Sequence, residues 1–217
     1  MSNQAVVEKV VSEYRPNELI IPDELYRKLA SYHITRGSMQ KSLERMCRYG
    51  SLDRAAKGVY YKPIKSKYGP VPLSEQQIIE YYTANQNGMI VGYALYNSLG
   101  LTTQIAKYTD VYSARLTQRT KTLRKVRLKK YDLEYTPEVI QMIKALEVLQ
   151  NYASIQDLNH YQFLDFCKKI PEYYSDSLFE MVTETIHYRK KTIVFLRHIL
   201  DHFENENELL LLLREKI

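Results

Sequence analysis

The sequence predicts a mainly α-helical fold with a small β content, divided into two domains. Apolar residues recur at helical spacing over most of the 217 residues. Two β-prone regions interrupt that pattern, at residues 52–61 and 108–130. The segment 62–72 holds three prolines and one glycine without an apolar period, which is typical of a linker. We therefore predict a first domain over residues 1–66 and an α+β or helical second domain over residues 67–217.

The first domain is predicted to contain three helices and a β-hairpin. Valines share one face of a helix over residues 4–13, and a second helix begins near Pro22, since proline is tolerated in a first turn. The third helix opens at Thr35 or Ser38 and stops at Gly50, a residue that accepts the left-handed conformation. Two β-prone runs around a glycine turn follow. Three helices and a hairpin predict a winged helix-turn-helix.

The second domain is predicted to begin with a capped helix. Ser74 and Gln77 have the spacing of a capping box, so a helix is expected through about Asn85. The other predicted elements are a helix over residues 89–99 closed by Gly100, extended segments over 108–113 and 122–130 that pair, and about five helices from Thr136 onward with breaks near Asn151, Pro171, His187 and Asn205.

The formal charge of +6 is unevenly distributed. Residues 1–72 carry 13 basic and 7 acidic groups, and residues 107–130 carry 9 basic and 1 acidic. Residues 131–217 hold 9 basic and 15 acidic groups. Because positive segments attract phosphates and negative segments repel them, contact with a polyanion is expected within the first 130 residues.

The third predicted helix carries the DNA-binding prediction. Met39, Leu43 and Met46 lie within about 60° of one another at 100° per residue, and this apolar face is expected to pack on the first two helices. The opposite face carries basic side chains that can reach bases or phosphates, and the first turn is where base contacts are usual. The predicted contacts of this helix with double-stranded DNA are Arg36, Ser38, Lys41, Arg45 and Arg48, with Gly37 allowing close approach.

Two further groups of basic residues are candidates for DNA contact. Arg54 and Lys57 flank the turn of the hairpin, where a wing meets the phosphate backbone or the minor groove. The second group is a secondary basic surface that either extends the DNA footprint or meets an acidic partner. It consists of Arg115, Arg119, Lys121, Arg124, Arg127 and Lys129, together with Lys125 and Lys130.

No enzyme active site is predicted. Gly50-Ser51 is similar to the turn of a nucleotidyltransferase site, but no Asp-x-Asp follows on the adjoining strand. His198 and His202 are four residues apart without a third ligand, so no metal is expected. The two cysteines indicate neither a disulfide framework nor a zinc site, and no cofactor is predicted. The N-terminal residues lack the pattern of a secretion signal, so a cytoplasmic location is expected.

The string from Tyr49 to Pro63 resembles the wing of the AbiEi-type antitoxins of type IV toxin–antitoxin (abortive infection) systems. The order of parts is also similar, from the Gly-Val-Tyr strand through a proline-rich turn to a small-residue helix at 89–101 and the stretch Thr102-Thr103-Gln104. The resemblance covers residues 20–130 and ends in the acidic helical remainder.

The resemblance implies a transcriptional autorepressor that binds inverted repeats at its own promoter. It also implies an antitoxin that counters a nucleotidyltransferase toxin encoded beside it, with or without a direct complex. Two alternatives stay open on the residues alone. One is a winged-helix regulator, monomeric or dimeric, whose C-terminal helices sense a small molecule or dimerise. The other is an interaction protein that uses the wing fold to bind protein.

Overall fold

The computed structural model describes residues 2–210, which divide into two compact units between Tyr81 and Tyr82. About 50% of the chain is helical and 16% is in strands, so the predicted mainly helical fold with a small β content is confirmed. Within the described residues the helices are α1 (Asn3–Ser12), α2 (Pro22–Lys28), α3 (Arg36–Arg48), α4 (Glu75–Thr83), α5 (Tyr93–Ser98), α6 (Pro137–Asn151), α7 (His160–Tyr173), α8 (Asp176–Thr185) and α9 (Lys190–His202). The strands are β1 (Leu19–Ile20), β2 (Asp53–Ala56), β3 (Val59–Tyr61), β4 (Ile64–Ser66), β5 (Gly69–Val71), β6 (Gly88–Val91), β7 (Thr109–Ser113), β8 (Thr120–Leu123) and β9 (Val126–Lys130).

The first unit packs α1, α2 and α3 around one apolar core. Val7, Leu25 and Leu43 have no exposed surface there, and together they join the three helices. Each helix starts where its sequence allows it to start. The Ser2 side chain accepts a hydrogen bond from the backbone of α1, Pro22 stands at the start of α2, and Thr35 caps α3. The three helices therefore lie where the sequence predicts them.

A three-stranded antiparallel sheet completes this arrangement, in the order β1-β3-β2. The hairpin of β2 and β3 turns through Gly58, whose φ of 68° favours glycine. Strand β1 lies between α1 and α2 in sequence and pairs Leu19 with Tyr61. With only two residues, β1 is too short to show an apolar period, so the sequence did not predict it.

The segment predicted as a linker contains a hairpin instead. Strands β4 and β5 pair Ile64 with Val71 and are joined by a turn at Lys67 and Tyr68. The chain divides later than the predicted 66/67 boundary, within α4. The capping box of α4 is present as predicted. The Ser74 amide donates to Gln77 Oε1 at 2.9 Å, and the Gln77 amide donates to Ser74 Oγ at 3.1 Å.

The second unit contains a four-stranded sheet in the order β6-β7-β9-β8. The helix predicted over 89–99 was wrong in its first part, because residues 88–91 form β6 and pair antiparallel with β7. Met89 and Val91 are buried in the core, and Gly92 then adopts a φ of 65° before α5 begins at Tyr93. A run of β-prone apolar residues ended by a glycine in this conformation forms a strand more readily than a first helical turn.

The extended region 122–130 is also not a single strand. It contains the end of β8 and all of β9, which pair antiparallel around Arg124 and Lys125. Arg124 has a φ of 53°, which permits the tight turn. Strand β9 pairs in parallel with β7, so the predicted pairing between the two extended regions is confirmed.

Helices α6, α7, α8 and α9 form the rest of this unit. Their core includes Leu146, Ile170, Val182 and Leu196, all without exposed surface. The break predicted near Pro171 lies just after it, since α7 ends at Tyr173. The proline removes one amide donor from the helix, and the helix ends two residues later. The Pro171 carbonyl accepts a hydrogen bond from Asn205 Nδ2 at 3.2 Å.

Within residues 2–210, the helices fall short of the length and apolar character needed to cross a membrane.

Candidate nucleic-acid interface

Helix α3 is amphipathic, and the core fixes which of its faces meets solvent. Met39, Ser42, Leu43 and Met46 are buried against the other helices of the first unit. The helix begins cleanly because the Thr35 hydroxyl accepts a hydrogen bond from the Ser38 amide at 3.2 Å. The outward face is therefore held in one orientation by four buried neighbours on the same helix.

The outward face carries the predicted basic residues. Lys41, Arg45 and Arg48 are all exposed, and Gly37 is exposed near the start of the helix with open space around it. Within the described part of the chain, Lys41 and Arg48 make neither an ion pair nor a hydrogen bond with their side chains. Glu44 is exposed on the same helix and adds one negative charge. The net charge of this face is positive, and two of its cations, Lys41 and Arg48, make no ion pair or side-chain hydrogen bond within the described residues.

The first turn of α1 lies beside α3, and its side chains form hydrogen bonds with two of the predicted residues of α3. Arg45 Nη1 donates to Gln4 Oε1 at 2.8 Å, and Asn3 Nδ2 donates to Ser38 Oγ at 3.3 Å. Both partners are polar and neutral; Asn3 is exposed and Gln4 is half-buried. The contacts orient Arg45 and Ser38 without neutralising charge, so both remain suited to contact with a phosphate or a base.

Arg36 lies in the first turn of α3 as predicted, but its guanidinium group is paired with a carboxylate. Its Nη1 lies 2.6 Å from Asp23 Oδ1 on α2, and its guanidinium group lies 4.7 Å from the centroid of the Tyr26 ring. The side chain is still 63% exposed. Arg36 is therefore accessible but paired in the free protein, and a base contact would require it to leave Asp23. The sequence showed Arg36 at the first turn but could not show that Asp23 lies within its reach.

The hairpin of β2 and β3 begins directly after α3. The amides of Ser51 and Leu52 both donate to the Met46 carbonyl, at 2.9 and 3.2 Å, which fixes the start of the hairpin against the end of the helix. Burial raises the pKa of the Cys47 thiol, and the charges of Asp53 and Arg54 also reach it. The strand that carries Arg54 therefore lies next to the C-terminal turns of α3.

The two predicted wing residues are at the exposed edge of this hairpin. Arg54 is exposed, its Nε donates to the Ala56 carbonyl at 3.4 Å, and its guanidinium carbon lies 5.8 Å from the centre of the Tyr60 ring. Lys57 is exposed in the turn, next to Gly58. The structure thus brings Arg54 and Lys57 together on the element that follows α3.

A second basic hairpin was missed by the sequence reasoning. Strands β4 and β5 expose Lys65, Lys67 and Tyr68, and the Lys67 amine lies 4.8 Å from the centre of the Tyr68 ring. Tyr68 is 87% exposed. The available signal was the pair Tyr68-Gly69 between short β-prone runs, which three prolines obscured. This hairpin is a further candidate for phosphate contact in the first unit.

The secondary basic surface does not form one continuous face. Arg127 makes two hydrogen bonds of 2.6 Å to the carboxylate of Asp110. The Lys129 amine lies over the rings of Tyr131 and Tyr112, 4.8 and 6.0 Å from their centres. Lys121 pairs in register with Leu128, which lies between Arg127 and Lys129 on β9. The Lys121 side chain therefore leaves the sheet from the opposite face to Arg127 and Lys129. Arg115, Arg119 and Arg124 lie outside these strands, before β8 and in the turn after it.

The groups set aside as sites have ordinary surroundings. His198 and His202 on α9 are exposed, and no group of three metal-ligating side chains occurs in the described part of the chain. Both thiols are free, with Cys47 half-buried and Cys167 buried. Burial raises the pKa of Cys167 to about 12, so this thiol is a poor nucleophile at neutral pH.

No protein-family model matches this chain, and no curated protein matches it. Among solved structures, the crystal structure of the RV2827C protein from Mycobacterium tuberculosis matches with a TM-score of 0.42 and 11% sequence identity, over 93% of this chain and 77% of that chain. A similarity at this level carries no argument about function.

Proposed function

We propose that the first unit is a winged helix-turn-helix that binds double-stranded DNA, with α3 as the recognition helix. The observation that carries the proposal is the exposed basic face of α3 beside the hairpin tipped by Lys57. The order helix, strand, two helices and hairpin is the order of elements in winged helices. In this arrangement α3 enters the major groove and the hairpin follows the backbone.

The charges on this surface divide into two roles. Lys41, Arg48 and Lys57 contact phosphates, which supplies affinity without sequence choice. Arg36 and Ser38 lie in the first turn of α3, where side chains reach base edges, and supply sequence choice. Arg36 exchanges Asp23 for a guanine when DNA binds, since a guanidinium can form two hydrogen bonds with guanine.

We further propose that the chain is an antitoxin and transcriptional autorepressor. The support is the resemblance of Tyr49–Pro63 and of the following segments to AbiEi-type antitoxins. In this role the protein binds inverted repeats in its own promoter and counters a nucleotidyltransferase toxin encoded beside it. The second unit supplies the antitoxin function, either through a direct complex or without one.

The DNA-binding proposal is tested by titrating the purified full chain into its labelled upstream DNA at several salt concentrations. We expect saturable binding whose affinity falls steeply as salt rises, because each phosphate contact releases counterions. A scrambled duplex of equal length is the control for sequence choice. Binding that does not change with salt, or no binding at low salt, would contradict the proposal.

The antitoxin proposal needs a separate test, because DNA binding alone does not imply it. The neighbouring reading frame is expected to encode a protein with Gly-Ser and Asp-x-Asp motifs. Expression of that protein alone should arrest growth, and co-expression of this chain should restore it. Growth arrest that this chain fails to relieve would overturn the antitoxin role and leave the DNA-binding proposal unaffected.

A further inference from the structure

The second unit contains a half-open cavity of about 530 Å³ that the DNA-binding proposal does not use. It lies between the sheet and helices α5 and α6, and its volume falls in the range of small-molecule sites, about 300–1,000 Å³. Its walls include Arg127 and Lys129 from β9, Glu147 from α6, and Tyr93 and Tyr96 from α5. Charged and aromatic side chains from three elements therefore converge on one space.

The face of the sheet that lines the cavity changes from apolar to polar between β6 and β8. At the β6 end, Met89 and Val91 are buried in the apolar core. Toward the β8 edge the same face carries two polar rows, which register pairing defines. One row consists of Tyr112, Lys129 and Thr120. The other consists of Asp110, Arg127 and Thr122. A sheet face turned toward a helix layer is normally apolar throughout, so this polar half leaves room for something other than core side chains.

A carboxyl group faces the cavity from an otherwise apolar helix surface. Glu147 is only 5% exposed, and its neighbours Leu146 and Val148 are fully buried. The Tyr112 hydroxyl donates a hydrogen bond of 2.9 Å to Glu147 Oε1. Burial raises the pKa of Glu147, and the charge of Lys129 opposes that shift. A buried carboxyl costs free energy unless it is satisfied, and Tyr112 supplies a partner.

Three cations, Lys121, Arg127 and Lys129, and two carboxyl groups, Asp110 and Glu147, line the cavity, which leaves a formal excess of one positive charge. Asp110 is neutralised by Arg127 through two hydrogen bonds, and Glu147 is held by Tyr112. Lys129 lies over the rings of Tyr131 and Tyr112 and makes no salt bridge in the described part of the chain, although its charge acts on Glu147. A ligand that enters this site would therefore gain most by carrying a negative charge near Lys129.

The opposite wall is aromatic and rigid. The rings of Tyr93 and Tyr96 lie 5.7 Å apart in an edge-to-face arrangement. The Tyr93 hydroxyl donates to the Ser154 carbonyl and accepts from the Gln156 amide, both at 3.3 Å, which fixes the ring. Tyr96 is only 4% exposed, so the half-buried ring of Tyr93 supplies the surface on which a planar group binds at little entropic cost.

We propose that this cavity is a binding site for a mononucleotide, with phosphate at Lys129 and the base against Tyr93. The cavity is far larger than a lone phosphate or carboxylate, so the anion carries a further planar group. Thr120 and Thr122 stand beside Lys129 and Arg127 and offer hydroxyl donors to the phosphate oxygens. The site is independent of the proposed DNA contact, since every residue named belongs to the second unit.

The test is isothermal titration of the full chain with each of the four ribonucleoside triphosphates and with inorganic tripolyphosphate, in phosphate-free buffer. We expect at least one nucleotide to bind saturably below millimolar concentration and tripolyphosphate to bind at least tenfold more weakly. Lys129→Gln should weaken nucleotide binding at least tenfold. Thr120→Glu, which adds a negative charge on an exposed edge strand, should abolish it even if the first variant folds poorly.

Lys125→Gln is the matched control, because Lys125 is exposed in the turn between β8 and β9 and does not line the cavity. Its nucleotide affinity should stay within twofold of the unaltered chain. Equal weakening by Lys125→Gln and Lys129→Gln would mean that the general positive field attracts nucleotides. That result, equal binding of tripolyphosphate, or no saturable binding at several millimolar would each overturn the proposal.

Discussion

The α3 face and strand β9 are both rich in cations, but these cations differ in how they interact with other side chains. On α3, Lys41 and Arg48 are exposed without a partner in the described residues, and Arg45 contacts only the neutral Gln4. On β9, Arg127 is bound to Asp110, and Lys129 lies over two tyrosine rings. Strand β9 has the higher charge density in the sequence, with a net charge of +3 over its 5 residues against +3 over the 13 residues of α3.

The difference between the two regions shows that charge along a chain does not measure charge offered to a polyanion. An exposed cation without a carboxylate keeps its full attraction for phosphate, whereas a cation with two short hydrogen bonds to a carboxylate has lost most of it. This difference supports the two proposals, DNA contact at α3 and its hairpin and small-ligand contact at the cavity beside β9.

The largest expected effect on DNA binding comes from removing Lys41 and Arg48, the two α3 cations without a partner in the described residues. The double variant Lys41→Ala and Arg48→Ala should bind promoter DNA on the order of a hundredfold more weakly at low salt, because two phosphate contacts are lost. The slope of log affinity against log salt should become shallower by about 2. Fluorescence anisotropy at four salt concentrations measures both quantities.

Lys9→Ala is the matched control for that double variant, since Lys9 is also an exposed cation of the first unit but lies in the last turn of α1. Its affinity and salt slope should stay close to those of the unaltered chain. The melting temperature of the double variant should not change, because exposed cations without partners contribute little stability. A similar loss in Lys9→Ala would show that net charge, and not the α3 face, determines binding.

A smaller effect is expected from the pair of Arg36 and Asp23. Arg36→Ala should reduce the preference for the operator over a single-base variant by about 1–3 kcal/mol, because a bidentate base contact is lost. Asp23→Asn should leave the preference intact and strengthen operator binding, since the guanidinium no longer has to leave a carboxylate. Competition titrations with operator variants measure both, and an unchanged preference in Arg36→Ala would move the reading role to another residue.

A pH-dependent effect is expected from Glu147. Burial raises its pKa in the folded protein above the ordinary value of 4.5, so the folded state holds this proton more tightly than the unfolded chain. Stability should fall as pH rises from about 4.5 through the raised pKa, by at most about 1.4 kcal/mol per pH unit. The Glu147→Gln variant should lack this component.

Urea unfolding of both proteins between pH 4 and 8 measures that difference. The stability of the unaltered chain relative to Glu147→Gln should decline with rising pH. A constant difference, or one that grows with pH, would show that Glu147 is not desolvated in the folded protein. The proposed cavity would then lack its buried carboxyl.

The smallest expected effect on DNA binding is in the second unit. The double variant Arg127→Gln and Lys129→Gln should bind promoter DNA within about twofold of the unaltered chain at physiological salt, because the proposed contacts with the duplex all lie in the first unit. The same anisotropy assay applies. A loss comparable to that of the α3 double variant would remove the distinction between the two regions.

Much of the first unit could be predicted from its sequence because the signals are local. A valine period, a proline in a first turn, a threonine cap and a glycine turn each act within a few residues, and α1, α2, α3 and the hairpin lie where they indicate. The exposed placement of Lys41, Arg45 and Arg48 follows from the burial of Met39, Leu43 and Met46 on the same helix.

The features that the sequence did not predict depend on residues that are distant along the chain. Asp23 and Arg36 are 13 positions apart, and Asp110 and Arg127 are 17 apart. The burial of Glu147 becomes visible only when β7 is placed against α6. Strand β6 was mistaken for a helix because a short apolar run has no decisive period.

Hydrogen exchange of the full chain with and without its promoter DNA tests the division between the two regions most directly. We predict that DNA slows the exchange of amides in 36–48 and in the hairpin 53–61, and leaves 120–130 unchanged. Protection confined to 120–130, with none in 36–48, would contradict the assignment of DNA contact to α3.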